Sequence, residues 1–360
     1  MRNLFLFICL LIFYSSVSAQ YEFRFQQEYF FGNLPTAKTE AMGRADVAIG
    51  GTMPSIFFNP AGLARIQGQE ISFSTSAPFY ALTQSDYYFF GYGREVLPGI
   101  YAGISLNQLA IGPTTFSTEI NGTRYPLDKP KSSNFALTLA GEVIENLNVG
   151  VNVNLFELKL FDDAPNGKSL HFDAGATYQL PLADNKNLRF GASFNNLTYS
   201  SISFESPTGS EASNNFPAVA RVGVAYETLS NIDIPGDKSV ELALTFTAEH
   251  MNVLNSDYRT SFQVGAEGVV NQVLALRLGY FTHNLNDFGV SNNKDRLSDL
   301  TYGFGLIIPF DKLSDRKLNF QGHLDYVSLK APPYVVSGRR NANMRSFTFR
   351  LVIPISNSSK

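Results

Sequence analysis

Leu147-Asn148-Val149-Gly150-Val151-Asn152-Val153-Asn154-Leu155 changes between apolar and polar or small at every step. In an extended chain this period of two puts the leucines and valines on one face and the asparagines on the other. The run continues to about ten residues, the length a tilted strand needs to cross a bilayer, whereas soluble strands average ~5–6. This stretch therefore argues for a strand with one face in an apolar solvent.

The same alternation recurs on both sides of it. Val240, Leu242, Leu244 and Phe246 alternate with Glu241, Ala243, Thr245 and Thr247, and Phe347, Phe349, Leu351 and Ile353 alternate with Ser346, Thr348, Arg350 and Val352. About fourteen such spans run from Glu70–Ala77 to Arg345–Ile355, an even number of the kind bacterial barrels require. Ala218–Glu227 is the eighth of them and Ser239–Ala248 the ninth. Connections alternate too. Arg94–Pro98, Glu142–Asn146, Pro181–Asn187, Val270–Gln272 and Phe310–Lys317 are short. Gln108–Ser132, Thr198–Pro217, Thr282–Asp299 and Ser328–Met344 are long. Short turns on one side and long loops on the other is the periplasmic/extracellular asymmetry of outer-membrane barrels. Thr228–Lys238 is the one connection longer than its side predicts.

Composition agrees. Only 16% of the 360 residues are charged, aromatics include 31 Phe and 17 Tyr, and the net charge is -3. That balance gives no footing for nucleic acid. Arg2, the apolar run Leu4–Tyr14 and the small residues Val17-Ser18-Ala19 read as a cleaved signal peptide. The apolar run falls short of the ~20 residues of a membrane helix, and no later segment reaches that length. The lone cysteine, Cys9, lies in the signal peptide, so the mature chain has no disulfide, thiolate metal site or cysteine nucleophile. The expected organisation is a signal peptide over 1–19, an N-terminal segment over 20–68, and an all-β transmembrane barrel over 69–360. The destination is the outer membrane of a Gram-negative bacterium.

If the apolar row meets lipid, the other row lines the lumen. It holds His171, Asp173, Arg189, Arg221, Glu227, Glu241, Glu267, Arg277, His323, Asp325 and Arg350. Charges of both signs in a narrow interior imply mutual ion pairs, since an unpaired one is expensive there. Tyr87, Tyr88, Tyr178, Tyr280 and Tyr326 suit interfacial girdles, and cross-strand packing would explain them as well. Enzymatic signals are weak, and a Ser/His pair across neighbouring strands, which many serines make easy by chance, is the one route left to a membrane hydrolase. Four scattered histidines lack metal-ligand spacing, and no nucleophile elbow, phosphate loop or metalloprotease helix is present. No catalytic residue, metal or cofactor is expected.

The segment before the strands reads differently. Gly43-Arg44-Ala45-Asp46-Val47-Ala48 leads through several glycines to Phe58-Asn59-Pro60-Ala61-Gly62-Leu63-Ala64. Asn59-Pro60 is a helix start, an Asn cap followed by Pro at the first helical position. These residues resemble the start of FadL-superfamily outer-membrane proteins, and more narrowly the PorV/PorQ branch associated with the type IX secretion system. Leu188–Leu197, Phe216–Tyr226, Leu276–Tyr280 and Thr301–Leu306 extend the resemblance over most of the mature chain. It implies fourteen strands with the N-terminal segment folded into the lumen as a plug, to which Gly43, Asn59, Pro60, Ala61 and Gly62 would belong. One departure is the C-terminus, Pro354-Ile355-Ser356-Asn357-Ser358-Ser359-Lys360, which lacks a terminal aromatic.

Two functions follow from the resemblance. PorV-like members are implied to bind the C-terminal domain of secreted cargo, or other secretion-system proteins, through extracellular loops. Pro332, Pro333, Tyr334, Arg339 and Arg340 are the candidate contacts in the last loop. FadL itself implies transport of hydrophobic small molecules, which requires an apolar pocket beside the plug and a continuous route. A charged, sealed interior would count against that route. A structural or adhesive barrel is the third possibility, and outer-membrane lipid is a partner in every case.

Overall fold

The computed structural model describes residues 34–76, 85–111, 117–120, 123–126, 131–159, 166–205, 211–234, 238–255, 260–285, 295–310, 320–330 and 343–354. In chain order the strands begin with β1 (Gln69–Ser76), β2 (Ser85–Leu97), β3 (Ile100–Ile111), β4 (Ser117–Ile120), β5 (Thr123–Pro126) and β6 (Lys131–Ile144). There follow β7 (Leu147–Lys159), β8 (Gly167–Ala183), β9 (Lys186–Asn195), β10 (Ser201–Glu205), β11 (Glu211–Asn215) and β12 (Val219–Ile234). The chain closes with β13 (Lys238–Val253), β14 (Thr260–Val270), β15 (Leu274–Leu285), β16 (Asp295–Pro309), β17 (Gln321–Lys330) and β18 (Asn343–Ile353).

Fourteen of these strands form a closed antiparallel barrel, each paired with its neighbours in sequence. β1 returns to β18 from Gln69↔Ile353 to Ser76↔Ser346, which removes the last free edge. The other four strands are two hairpins inside the long connections: β4–β5, and β10–β11, which continues the wall above β8 through Ser203↔Lys168 and Phe204↔Gly167. Both connections were expected as plain loops.

The expected faces are realised. On β7, Val149, Val151 and Leu155 are exposed, while Asn152, Asn154 and Phe156 are buried. Tyr88, Tyr178 and Tyr280 stand on the outer, exposed face and Tyr326 is half-buried. Tyr87 corrects the girdle assignment: at 1% exposure it points inward and packs with Met53, Ile56 and Phe89. The neighbouring Tyr88 takes the outward position, because adjacent strand residues alternate faces.

The Thr228–Lys238 exception also dissolves. β12 and β13 stay paired out to Ile234↔Lys238, so the extra residues are strand. Tight turns on that side use left-handed asparagines, with Asn146 at φ 65° and Asn185 at φ 61°.

The segment 34–66 lies inside the barrel. It comprises α1 (Ala37–Ala41) and two 3₁₀ turns, Met53–Phe57 and Pro60–Arg65. Thr36 caps α1 by accepting the Lys38 N–H at 3.2 Å, and Asn59 caps the second turn by accepting the Ala61 N–H at 3.0 Å. Pro60 at the first helical position needs no donor there, as its sequence position implied. No helix among the described residues is long and apolar enough to cross a membrane.

Candidate functional site

The interior is built where the luminal segment meets the wall. The segment has little regular structure, so its backbone N–H and C=O groups need partners from outside it. Strand side chains supply them. Glu249 on β13 accepts the N–H groups of Asp46 and Val47 at 2.8 and 2.9 Å. Glu70 on β1 accepts the Met53 N–H at 2.8 Å, at the start of the first 3₁₀ turn. Thr348 on β18 accepts the Ala37 N–H, and Thr301 on β16 accepts that of Gly43 while donating to Ala41 O. From the opposite wall, Ser193 donates to Phe58 O at 2.6 Å, Asn152 to Ile56 O at 3.0 Å and Arg189 to Ile49 O at 3.0 Å.

Close approach requires glycine on the wall. Gly150↔Gly175, Gly191↔Gly223 and Gly265↔Gly279 are cross-strand pairs facing Pro60, Val47 and Met42–Gly43 respectively. A Cβ on Gly279 would stand 2.6 Å from Gly43 Cα, and one on Gly191 would stand 2.6 Å from Ala48 Cα. Gly43 is itself left-handed, at φ 66°. Apolar packing fills the gaps between these contacts. Met53, Ile56, Leu63 and Ile66 lie against Tyr87, Phe89 and Leu109, and Met42, Val47, Ala48 and Ile49 lie against Ala225.

The charges pair. Arg221 meets Glu249 at 2.9 Å, Arg189 grips Glu227 through Nη1 at 2.9 Å, and Arg44 meets Glu40 at 2.9 Å within the segment. Arg277 bridges Glu267 and Asp325, the latter at 2.7 Å, and Lys38 of the segment adds a contact to Glu267 at 3.3 Å. Arg350 lies 3.7 Å from both Glu70 and Asp325 and 3.1 Å from His323 Nδ1. Among the segment's own acids, burial pushes Asp46 up to about 7, an effect opposed by the charge of Lys38 and by hydrogen bonds from Ser55 and Thr39.

Of the lumen-facing residues expected from alternation, His171, Asp173, Arg189, Arg221, Glu267, Arg277, Asp325 and Arg350 are buried inside, and His323 is half-buried beside Arg350. Glu241 sits apart. It is partly exposed at the short-turn end, bonded to Gln272 at 2.8 Å, because β13 extends past β14 there. Gly43, Asn59, Pro60, Ala61 and Gly62 all lie within the luminal segment. Pro332, Pro333, Tyr334, Arg339 and Arg340 fall outside the described residues. Glu249 and Glu70 escaped the sequence reading, although strict parity carried one residue beyond Ala248 would have found Glu249. Lys38, Glu40 and Arg44 carry no periodic signal.

A narrow cleft with room for about one water opens between the luminal segment and the long-loop end. Ile56, Phe57, Phe89 and Ala136 form its apolar side, and asparagines from β3, β6, β7 and β9 form its polar side with His171 and Asp173. Beside it, β9 ends at Asn195. Asn196 fills the break, donating to Phe216 O at 2.9 Å and accepting from the Ser200 N–H and Oγ at 3.0 Å. Phe216 packs against His171 and Phe156 with ring centroids 4.4 and 4.8 Å apart.

No family model matches the sequence, and no curated protein does. Among solved structures, a FadL homologue from Pseudomonas aeruginosa superposes with a TM-score of 0.51 at 10% identity, over 89% of this chain and 98% of that one. The toluene transporter TodX of Pseudomonas putida gives 0.47 at 13% identity over 89% and 97%, and the monoaromatic hydrocarbon channel CymD gives 0.47 at 11% over 88% and 96%. The first likeness establishes that the chain has the barrel fold of the FadL homologue.

Proposed function

We propose that this chain is a non-enzymatic outer-membrane barrel that takes up small hydrophobic or amphiphilic molecules from the long-loop side. In this reading the segment 34–66 is its plug. The observation that carries it is the half-apolar cleft directly above that segment, walled by Ile56, Phe57 and Phe89. The FadL-homologue fold supports the reading, and outer-membrane lipid against the apolar outer face goes with it. Passage demands movement, because polar and charged contacts pin the segment on several sides.

A second reading draws on the contacts that hold the segment across the lumen. A barrel of PorV/PorQ type, docking the C-terminal domains of secreted cargo or secretion-system proteins on its loops, has no need of an open interior. Purification from native outer membranes followed by mass spectrometry of bound proteins and extracted small molecules separates the two. Retained hydrophobic molecules support uptake. Secreted proteins sharing a C-terminal domain, with no apolar ligand, would overturn uptake in favour of docking.

A further inference from the structure

We propose that the polar side of the cleft is a binding site for an ammonium group, the head of a primary amine carrying a short apolar tail. The argument starts at Asp173, which is 5% exposed. The other carboxylates of the lumen wall, Glu70, Glu227, Glu249, Glu267 and Asp325, each face an arginine within ion-pair range. Among the described residues Asp173 faces none. It is held by neutral donors only: Asn152 Nδ2 at 3.0 Å, Asn154 Nδ2 at 2.8 Å and the Asn196 N–H at 2.9 Å.

A carboxylate accepts only, so it orients the amides around it. Asn154 must turn its Nδ2 toward Asp173, which leaves its Oδ1 to face Asn134. Asn134 then donates its own Nδ2 to Asn154 at 3.0 Å. The consequence is that Asn134 Oδ1 is left without a donor. Asn107 Oδ1 and Asn195 Oδ1 are likewise buried acceptors without a donor, and His171 Nδ1 beside them is buried and unpartnered, all on residues that line the cleft. The four residues are each at most 6% exposed. Uncompensated buried acceptors are costly, and here they line the same cleft as a carboxylate with no cationic partner among the described residues.

An ammonium group answers that arrangement. It brings three donors and no acceptor, and its positive charge complements Asp173. Ile56, Phe57 and Phe89 line the side next to these oxygens, so the tail would run along them and out through the mouth. A neutral alcohol would supply one donor and no charge. The site does not depend on whether anything crosses the barrel, so it stands apart from the uptake reading.

The test uses the full mature chain folded in dodecyl maltoside, titrated calorimetrically with n-hexylamine, with hexanol and calcium chloride titrated separately. Saturable binding of the amine, with the alcohol at least about tenfold weaker, is expected from the loss of charge-assisted hydrogen bonds. Asp173→Asn should cost a similar factor. Asn107→Leu, which leaves the donors of Asp173 in place, should also weaken the amine. Folding of each variant is checked by its unheated mobility in detergent gels. Amine binding absent, equalled by the alcohol, or unchanged in both folded variants would overturn the proposal. So would calcium displacing the amine, because that outcome makes the cluster a metal site.

Discussion

Glu249 concentrates three interactions on one buried side chain: two backbone N–H groups of the luminal segment and the guanidinium of Arg221. Glu249→Gln keeps the shape but removes the charge, leaving Arg221 buried without its partner. Breaking a buried pair from one side costs ~3–5 kcal/mol, and a clear drop in the temperature of heat modification on gels is the expected outcome. Asp46 makes a second residue-scale prediction. Its carboxyl titrates near 7 when folded and near 3.8 when unfolded, so the folded state holds the extra proton between those values. Stability from this group is therefore greatest at the acid end and falls as pH rises from ~4 through 7. Asp46→Asn should flatten that slope when melting is followed from pH 8 to pH 5. An unchanged slope would remove Asp46 as its source. The lumen residues from Asp173 to Arg350 were legible because a strand's parity assigns each side chain to a face. Glu249 lies one residue beyond the span that alternation marks out, and in a Tyr-Tyr pair such as Tyr87-Tyr88 composition cannot say which ring turns inward.

Elements report on fit. The luminal segment lies against paired wall glycines, and nothing in an alternating strand distinguishes a glycine that touches that segment from one that merely fills a lumen position. Their pairing across strands emerges only from register, as in Gly265↔Gly279. A valine at Gly279 would drive its Cβ into the backbone of Gly43. Gly279→Val should destabilise the seated segment by ~1–3 kcal/mol or more, as overpacking does. The expected readout is protease cleavage within 34–66 in a barrel that still shows normal heat modifiability; a segment that stays protected would refute the close-packing account. By contrast, the cap at Asn59-Pro60 was readable locally, since its hydrogen bond spans two residues.

For the whole molecule, the decisive question is whether the segment seals the pore. It is held from several sides of the barrel by Glu70, Asn152, Ser193, Glu249, Thr301 and Thr348. In planar bilayers the intact protein should therefore give no steady ion conductance, while a chain lacking 34–66 that still folds should give open channels. Steady conductance from the intact chain would disprove the seal.

The strand count, the inward and outward faces and the short-turn/long-loop asymmetry were determined by sequence, because a period of two and turn chemistry are local. The tertiary structure alone decided which charges pair, which glycines admit the segment, and that Asp173 is left with neutral donors beside unpartnered acceptors. Those depend on register around a closed barrel, where residues more than a hundred positions apart become neighbours.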